Sequence, residues 1–168
     1  NAGIAATHPV ASVMSVNWLG LRQLSEALLP QIPSGGAIVN TASIAGGQWP
    51  GHLADVLEAI AIEGGDELLE WCGAHAELVG DGYAFSKECV QVYTMKSAKA
   101  TLARGVRTNS VCPAPIDTPL LPDFNKTMSE KTMSWTIEQC GGEIATPMDI
   151  AMPLVFLGSD ASRYVNGV

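Results

Sequence analysis

The chain has 168 residues, 47% hydrophobic and 15% charged, which is enough apolar material for one sizeable core in a single globular domain. A formal charge of −8 with no basic stripe argues against nucleic acid or an anionic membrane as a partner. Apolar stretches are broken well before the roughly 20 residues a membrane span needs, and no basic-then-apolar leader opens the sequence, so a cytoplasmic protein is expected.

Apolar residues at Val10, Val13, Met14, Leu21, Leu24 and Leu28 recur with helical spacing, predicting an amphipathic helix over residues 10 to 29. Asn17 falls on the same stripe and must find hydrogen-bond partners there, either as a helix kink or as a functional amide. Pro30, Pro33, Ser34, Gly35 and Gly36 end the helix, and residues 37 to 41 have the length of a buried strand. Ser43 follows that strand, where a hydroxyl is either a backbone cap or a substrate contact beyond the strand's carboxyl end. Leu53, Val56, Leu57 and Ile60, then Leu68, Leu69 and Cys72, form two short stripes split by Gly64-Gly65, which reads as a helical hairpin within residues 49 to 80.

A second helix is predicted from Tyr83 to Leu102 and a second strand from Val106 to Cys112, ending at Pro113. Helix alternating with strand implies a parallel sheet. The stretch from Leu120 to Gly142 is irregular and carries Met128, Met133 and Trp135, a composition suited to an adaptable apolar lid or to an ordinary packed helix. Pro147 starts a last helix with Asp149 in its first turn. Cys72, Cys89, Cys112 and Cys140 are widely spaced and read as reduced packing thiols. Cys72 and His75 lack two further ligands at metal spacing, so no metal is expected.

Tyr83-Ala84-Phe85-Ser86-Lys87 puts a phenol and an ammonium one helical turn apart, just after Gly80-Asp81-Gly82. In a water-poor cleft such a lysine is expected to lower the Tyr83 pKa from about 10 toward neutrality, making a phenolate base.

That pair occurs together with Asn1-Ala2-Gly3, Val16-Asn17-Trp18-Leu19-Gly20, Ile38-Val39-Asn40-Thr41-Ala42-Ser43, Cys112-Pro113-Ala114-Pro115-Ile116-Asp117-Thr118-Pro119 and Tyr164-Val165-Asn166-Gly167. In this order the segments resemble the short-chain dehydrogenase/reductase family along the whole chain. The resemblance implies an α/β fold, a Rossmann-like doubly wound parallel sheet, with residues 1–168 forming the C-terminal part of one domain. The family's glycine-rich turn is then expected upstream and its final strand downstream. It implies a Ser43, Tyr83, Lys87 and Asn17 catalytic set, with Asn17 holding a relay water. Cofactor contacts are implied at Asn1, Ala2, Gly3, Tyr83, Lys87, Pro113, Ile116 and Thr118, with NAD expected and NADP left open. Ala114 stands where the family usually has Gly, which questions the geometry of that turn.

Most members have the Ser and the Tyr far closer together. The long gap, with Asp81 to Glu88 and Asp117 to Phe124, is similar to the 3α-hydroxysteroid dehydrogenase/carbonyl reductase subgroup and to coniferyl-alcohol dehydrogenases. The implied reaction is hydride exchange between NAD(P) and an aromatic alcohol or hydroxysteroid, with Met128, Met133 and Trp135 as the substrate lid. A homo-oligomer is expected, a dimer being favoured, with the insertion covering a helix face or forming a contact. The competing reading is a nucleotide-binding redox sensor on the same fold, which has no chemical need of the four catalytic residues.

Overall fold

A computed structural model of the chain describes residues 3–168; Asn1 and Ala2, both expected at the cofactor, lie outside the described residues. The first helical stretch begins as α1 (Val10–Met14) and ends as α2 (Gly20–Leu28), but Ser15–Leu19 between them is a π-helical turn. The single regular helix expected over residues 10 to 29 therefore carries an inserted residue. The Gly20 N–H reaches back to the Ser15 carbonyl, and the widened turn contains the buried Asn17 and Trp18. Such turns interrupt the regular helical ladder and are frequent at functional sites.

Strand β1 (Ala37–Thr41) pairs in parallel with β2 (Arg107–Val111), in register from Ala37 opposite Arg107 to Thr41 opposite Val111. The chain's last residues run along the other edge of β2. The Gly167 N–H donates to the Thr108 carbonyl at 2.9 Å, and Asn109 Nδ2 donates to the Val165 carbonyl at 2.9 Å. Helix α6 (Tyr83–Leu102) crosses between the two strands, as a parallel pair requires.

Neighbouring side chains of β2 show how the layers stack. Arg107 donates to the carbonyls of Leu157, Ser159 and Ser162, at and just after the C-terminus of the last helix, while Thr108 Oγ1 donates to Thr101 Oγ1 of α6 at 2.8 Å. Successive strand residues point to opposite faces, so α6 covers one face of the sheet and the last helix the other. This is the α/β, helix–sheet–helix layering of a Rossmann-like fold.

The segment after Ser43 is helical: α3 (Leu53–Ala61), α4 (Gly65–Ala74) and α5 (Ala76–Val79). These helices pack with the π-turn against α6, where Met14, Trp18, Val56, Leu68, Phe85 and Cys89 form much of the core. Of the stripe expected on α3, Val56 and Ile60 are buried, whereas Leu53 and Leu57 remain 39% and 37% exposed. The buried Arg22 ties α2 to this segment through the carbonyls of Ile60, Ile62 and Glu63. A cation there complements the negative end of the α3 dipole and satisfies its orphan carbonyls. Glu88, buried on α6, pairs with His52 Nδ1 at 2.9 Å and anchors the start of the same segment.

The remaining helices are α7 (Leu121–Thr127), α8 (Glu130–Gln139) and α9 (Pro147–Gly158). Thr146 and Asp149 form a capping box at the start of α9, with Pro147 at its first position.

Candidate active site

The N-terminus of α6 is set by glycine. Gly82, at φ +84°, lies in a left-handed conformation that side chains avoid, and a Cβ there would meet Val10 Cγ1 at 3.3 Å. The Tyr83 N–H is capped by Asp81 Oδ1 at 2.9 Å, so the phenol starts the helix from a fixed turn. One turn on, Lys87 is only 6% exposed; its Nζ lies 5.8 Å from the Tyr83 ring centroid and donates to the Thr41 carbonyl at 3.0 Å, at the end of β1.

Ser43 follows β1 and caps the short turn Ile44–Gly46 by accepting from the Ala45 N–H at 3.2 Å. That turn is pressed onto α6. Gln91 Nε2 donates to the Ser43 carbonyl at 2.7 Å, and a Cβ on Gly46 would stand 2.6 Å from the Lys87 carbonyl carbon. The absence of a side chain at Gly46 is thus what lets the Ser43 turn reach the helix that carries Tyr83 and Lys87.

These three residues share one cavity of about 600 Å³. Gly3, Pro113, Ile116 and Thr118 line it as well, and so do Met128, Met133 and Trp135. The segment from Pro113 is held by a parallel bridge between Ile116 and Ala145. Among the described residues no non-glycine residue has positive φ, so Ala114 occupies an ordinary backbone conformation and its turn does not require glycine. The segment expected as a lid or as packed helix consists of α7 and α8, with the Phe124 ring edge-on to Tyr83 at 5.1 Å between centroids.

Asn17 is not a lining residue. It stands behind the wall, 1% exposed, with Nδ2 donating to the Ile4 carbonyl and Oδ1 accepting from the Ile4 N–H, both at 2.9 Å. Its carboxamide thereby fixes Gly3 and Ile4, which do line the cavity. Sequence reasoning missed several lining residues, notably Ile4, Gln48, Leu120, Phe124, Thr132 and Thr136. Thr132, Met133 and Thr136 share one face of α8 at helical spacing, a signal visible only once the helix is assigned.

The electrostatics differ from the expectation of a phenolate favoured by Lys87. Burial raises the Tyr83 pKa, and Ser43, whose side chain makes no close, well-aligned hydrogen bond with the phenol, opposes that only in part. Burial also lowers Lys87 from 10.5 to about 8, with Cys112 partly countering it. The physical reason is that desolvation penalises the charged form of both groups. The ammonium is drawn toward the Thr41 carbonyl, and burial weakens its hold on its own proton. His75, considered with Cys72 for a metal, instead stacks on Trp71 at 3.9 Å and its Nδ1 contacts the Trp71 carbonyl at 2.9 Å.

A family profile described as enoyl-(acyl carrier protein) reductase, one of those for short-chain dehydrogenases, matches residues 73–168, more than half of the chain. The chain belongs to the short-chain dehydrogenase/reductase family. It is 30% identical over 168 residues to coniferyl-alcohol dehydrogenase of Pseudomonas sp. (strain HR199 / DSM 7063), covering 99% of this chain and 66% of that protein. It is 31% identical over 176 residues to 3-alpha-hydroxysteroid dehydrogenase/carbonyl reductase of Comamonas testosteroni, covering 96% and 64% respectively. Among solved structures, the 3-alpha-hydroxysteroid dehydrogenase of Pseudomonas sp. B-0831 complexed with NADH superposes with a TM-score of 0.81 at 26% identity, over 99% of this chain and 66% of that one. The chain therefore spans just under two thirds of the length of these relatives. Among the described residues, no helix is long and apolar enough to cross a membrane.

Proposed function

We propose that the protein carrying this chain is an NAD(P)-dependent alcohol dehydrogenase or carbonyl reductase acting on a coniferyl-type aromatic alcohol or a hydroxysteroid. The observation that carries this reading is the meeting of Tyr83, Lys87 and Ser43 on one cavity whose other walls are largely apolar. A concave apolar site with a few convergent polar groups suits a bulky, mostly apolar substrate. The relatives' names and the NADH in the superposed structure support the same class.

The cavity wall fits a nicotinamide nucleotide. Lys87 Nζ carries three donors, and its one hydrogen bond among the described residues goes to Thr41, so further N–H groups are left for ribose hydroxyls. Gly3, Pro113, Ile116 and Thr118 supply backbone and hydroxyl groups along the same wall. When bound, the nicotinamide supplies the hydride acceptor or donor.

The chain's own residues manage the proton and the substrate oxygen. Tyr83 takes the carbinol proton in the oxidative direction and returns it in the reductive one. Ser43 orients the substrate oxygen and stabilises the charge that develops on it. Lys87 would hold the ribose hydroxyls from its place beside the Tyr83 ring, and Asn17 holds the Gly3–Ile4 wall in place. Phe124 and the residues of α8 exclude solvent, which strengthens each of these interactions.

The test is oxidation of coniferyl alcohol and of androsterone by the full-length protein, with NAD and NADP in parallel, followed by absorbance of the reduced nicotinamide. Turnover of one alcohol with one cofactor is expected. Cofactor binding without turnover of either alcohol, or of the corresponding aldehyde or ketone, would overturn the reading.

A further inference from the structure

Helix α8 buries a single residue, and that residue is a threonine. Thr136 is 4% exposed, while its neighbours Thr132 and Trp135 remain open to solvent. Helical threonines and serines ordinarily return their hydroxyl to a carbonyl one turn back, and this chain does so repeatedly. Thr94 donates to Val90, Thr101 to Ala98, Thr127 to Asp123, and Ser86 to Tyr83. Thr136 makes no hydrogen bond to any described residue. Its turnward neighbour Thr132, by contrast, is engaged with Ser129 at the start of the helix.

Thr136 also lines the cavity that holds Tyr83, Ser43 and Lys87. Among the described residues, the fully buried side-chain polar atoms left without a partner are Trp18 Nε1, Arg22 Nε and Trp71 Nε1. The Thr136 hydroxyl is not one of them and therefore opens onto the cavity. A hydroxyl free on a largely apolar wall is the kind of group that fixes a ligand's orientation. Packing alone would have been served better by Val, which has the same shape and no hydroxyl to desolvate.

We propose that Thr136 is a specificity-determining residue whose hydroxyl binds a second oxygen of the substrate, remote from the carbinol that reacts at Tyr83. The inference rests on the functional reading above and sharpens it. The preferred substrate is an alcohol that carries another hydrogen-bonding oxygen, such as a ring hydroxyl or a distal ketone, and not a plain hydrocarbon alcohol of equal size. Discrimination arises because the analogue lacking that oxygen leaves Thr136 buried and unpaired.

The test is direct binding to the full-length protein by calorimetry, in the presence of the reduced nicotinamide, which cannot accept a hydride from the alcohol. Coniferyl alcohol is compared with cinnamyl alcohol, which has the same carbinol arm and no ring oxygens. In the wild type, coniferyl alcohol is expected to bind tighter by on the order of tenfold. Thr136→Val should abolish most of that preference, with cinnamyl alcohol gaining affinity because no hydroxyl is left unpaired against it, and Thr136→Ser should restore it. A preference that survives Thr136→Val, an equal loss for both alcohols, or no binding of either alcohol would overturn the proposal. The readout does not depend on turnover: preserved discrimination in a protein that fails to transfer hydride would refute the enzymatic reading and leave the assignment of Thr136 standing.

Discussion

Replacing Lys87 by methionine removes a buried cation while keeping most of the side chain's length and apolar contact. Lys87 is 6% exposed, and burial lowers its pKa from 10.5 to about 8. Below about pH 8 the lysine is protonated in both the folded and the unfolded chain, so the full desolvation cost, roughly 3 kcal/mol, weighs against folding. Between about 8 and 10.5 the folded state has released a proton that the unfolded state still holds, and stability rises with pH. From about pH 7 to about pH 9 the wild type should therefore gain about 1 kcal/mol relative to Lys87→Met. Cys72, Cys89 and Cys112, whose pKa values burial raises above 9.0, act with the opposite sign at higher pH, which is why the comparison stops there. At neutral pH the variant should be about as stable as the wild type or more so, since the relief is offset by the lost hydrogen bond to Thr41, itself about 1–3 kcal/mol. Urea unfolding of both proteins across that pH range is the assay. Parallel stability profiles would refute the placement of Lys87 as a desolvated, easily deprotonated cation.

Gly46→Ala puts a Cβ 2.6 to 2.8 Å from backbone atoms of Lys87 and Glu88. It should cost about 2 kcal/mol in chemical denaturation and lower turnover more than its stability loss explains, because the Ser43 turn is pushed off α6. Asn17→Ala removes both hydrogen bonds to the Ile4 backbone. A loss of roughly 2 kcal/mol is expected by the same method, with faster amide exchange at Ile4 as the specific sign. Arg107→Met strips the C-terminus of α9 of its cap at Leu157, Ser159 and Ser162. It should destabilise by about 3 kcal/mol in chemical denaturation and lower far-ultraviolet helicity.

Much of the scaffold could be read from local signals. Gly80-Asp81-Gly82 marked the start of α6, the short apolar run after Gly35-Gly36 marked β1, and the stretch ending at Pro113 marked β2 to within a residue at each end. Those signals are short-range, and so they survive in the sequence as spacing and turn chemistry. The π-helical turn at Ser15–Leu19 left no mark in the apolar spacing, and the Asn17 amide within it reaches Ile4, a contact that no local signal shows. Nothing in the local sequence marks Arg22 or Arg107 as buried, yet both lie against helix C-termini formed by residues 38 to 55 positions away. The sign of the Tyr83 shift was misjudged for a related reason. The i, i+4 spacing showed Lys87 beside the phenol, but not that burial would act on both groups, raising the pKa of one and lowering that of the other. Thr136 gave no signal at all, since a threonine between Trp135 and Ile137 is unremarkable until its helix closes over the cavity.

The most direct test of the catalytic assignment is Tyr83→Phe in the full-length protein, with nicotinamide binding and alcohol oxidation measured on the same preparation. The account predicts unchanged fold and cofactor binding, with turnover reduced by roughly 10²- to 10⁴-fold. Turnover close to that of the wild type would contradict the assignment of Tyr83 as the group that moves the proton.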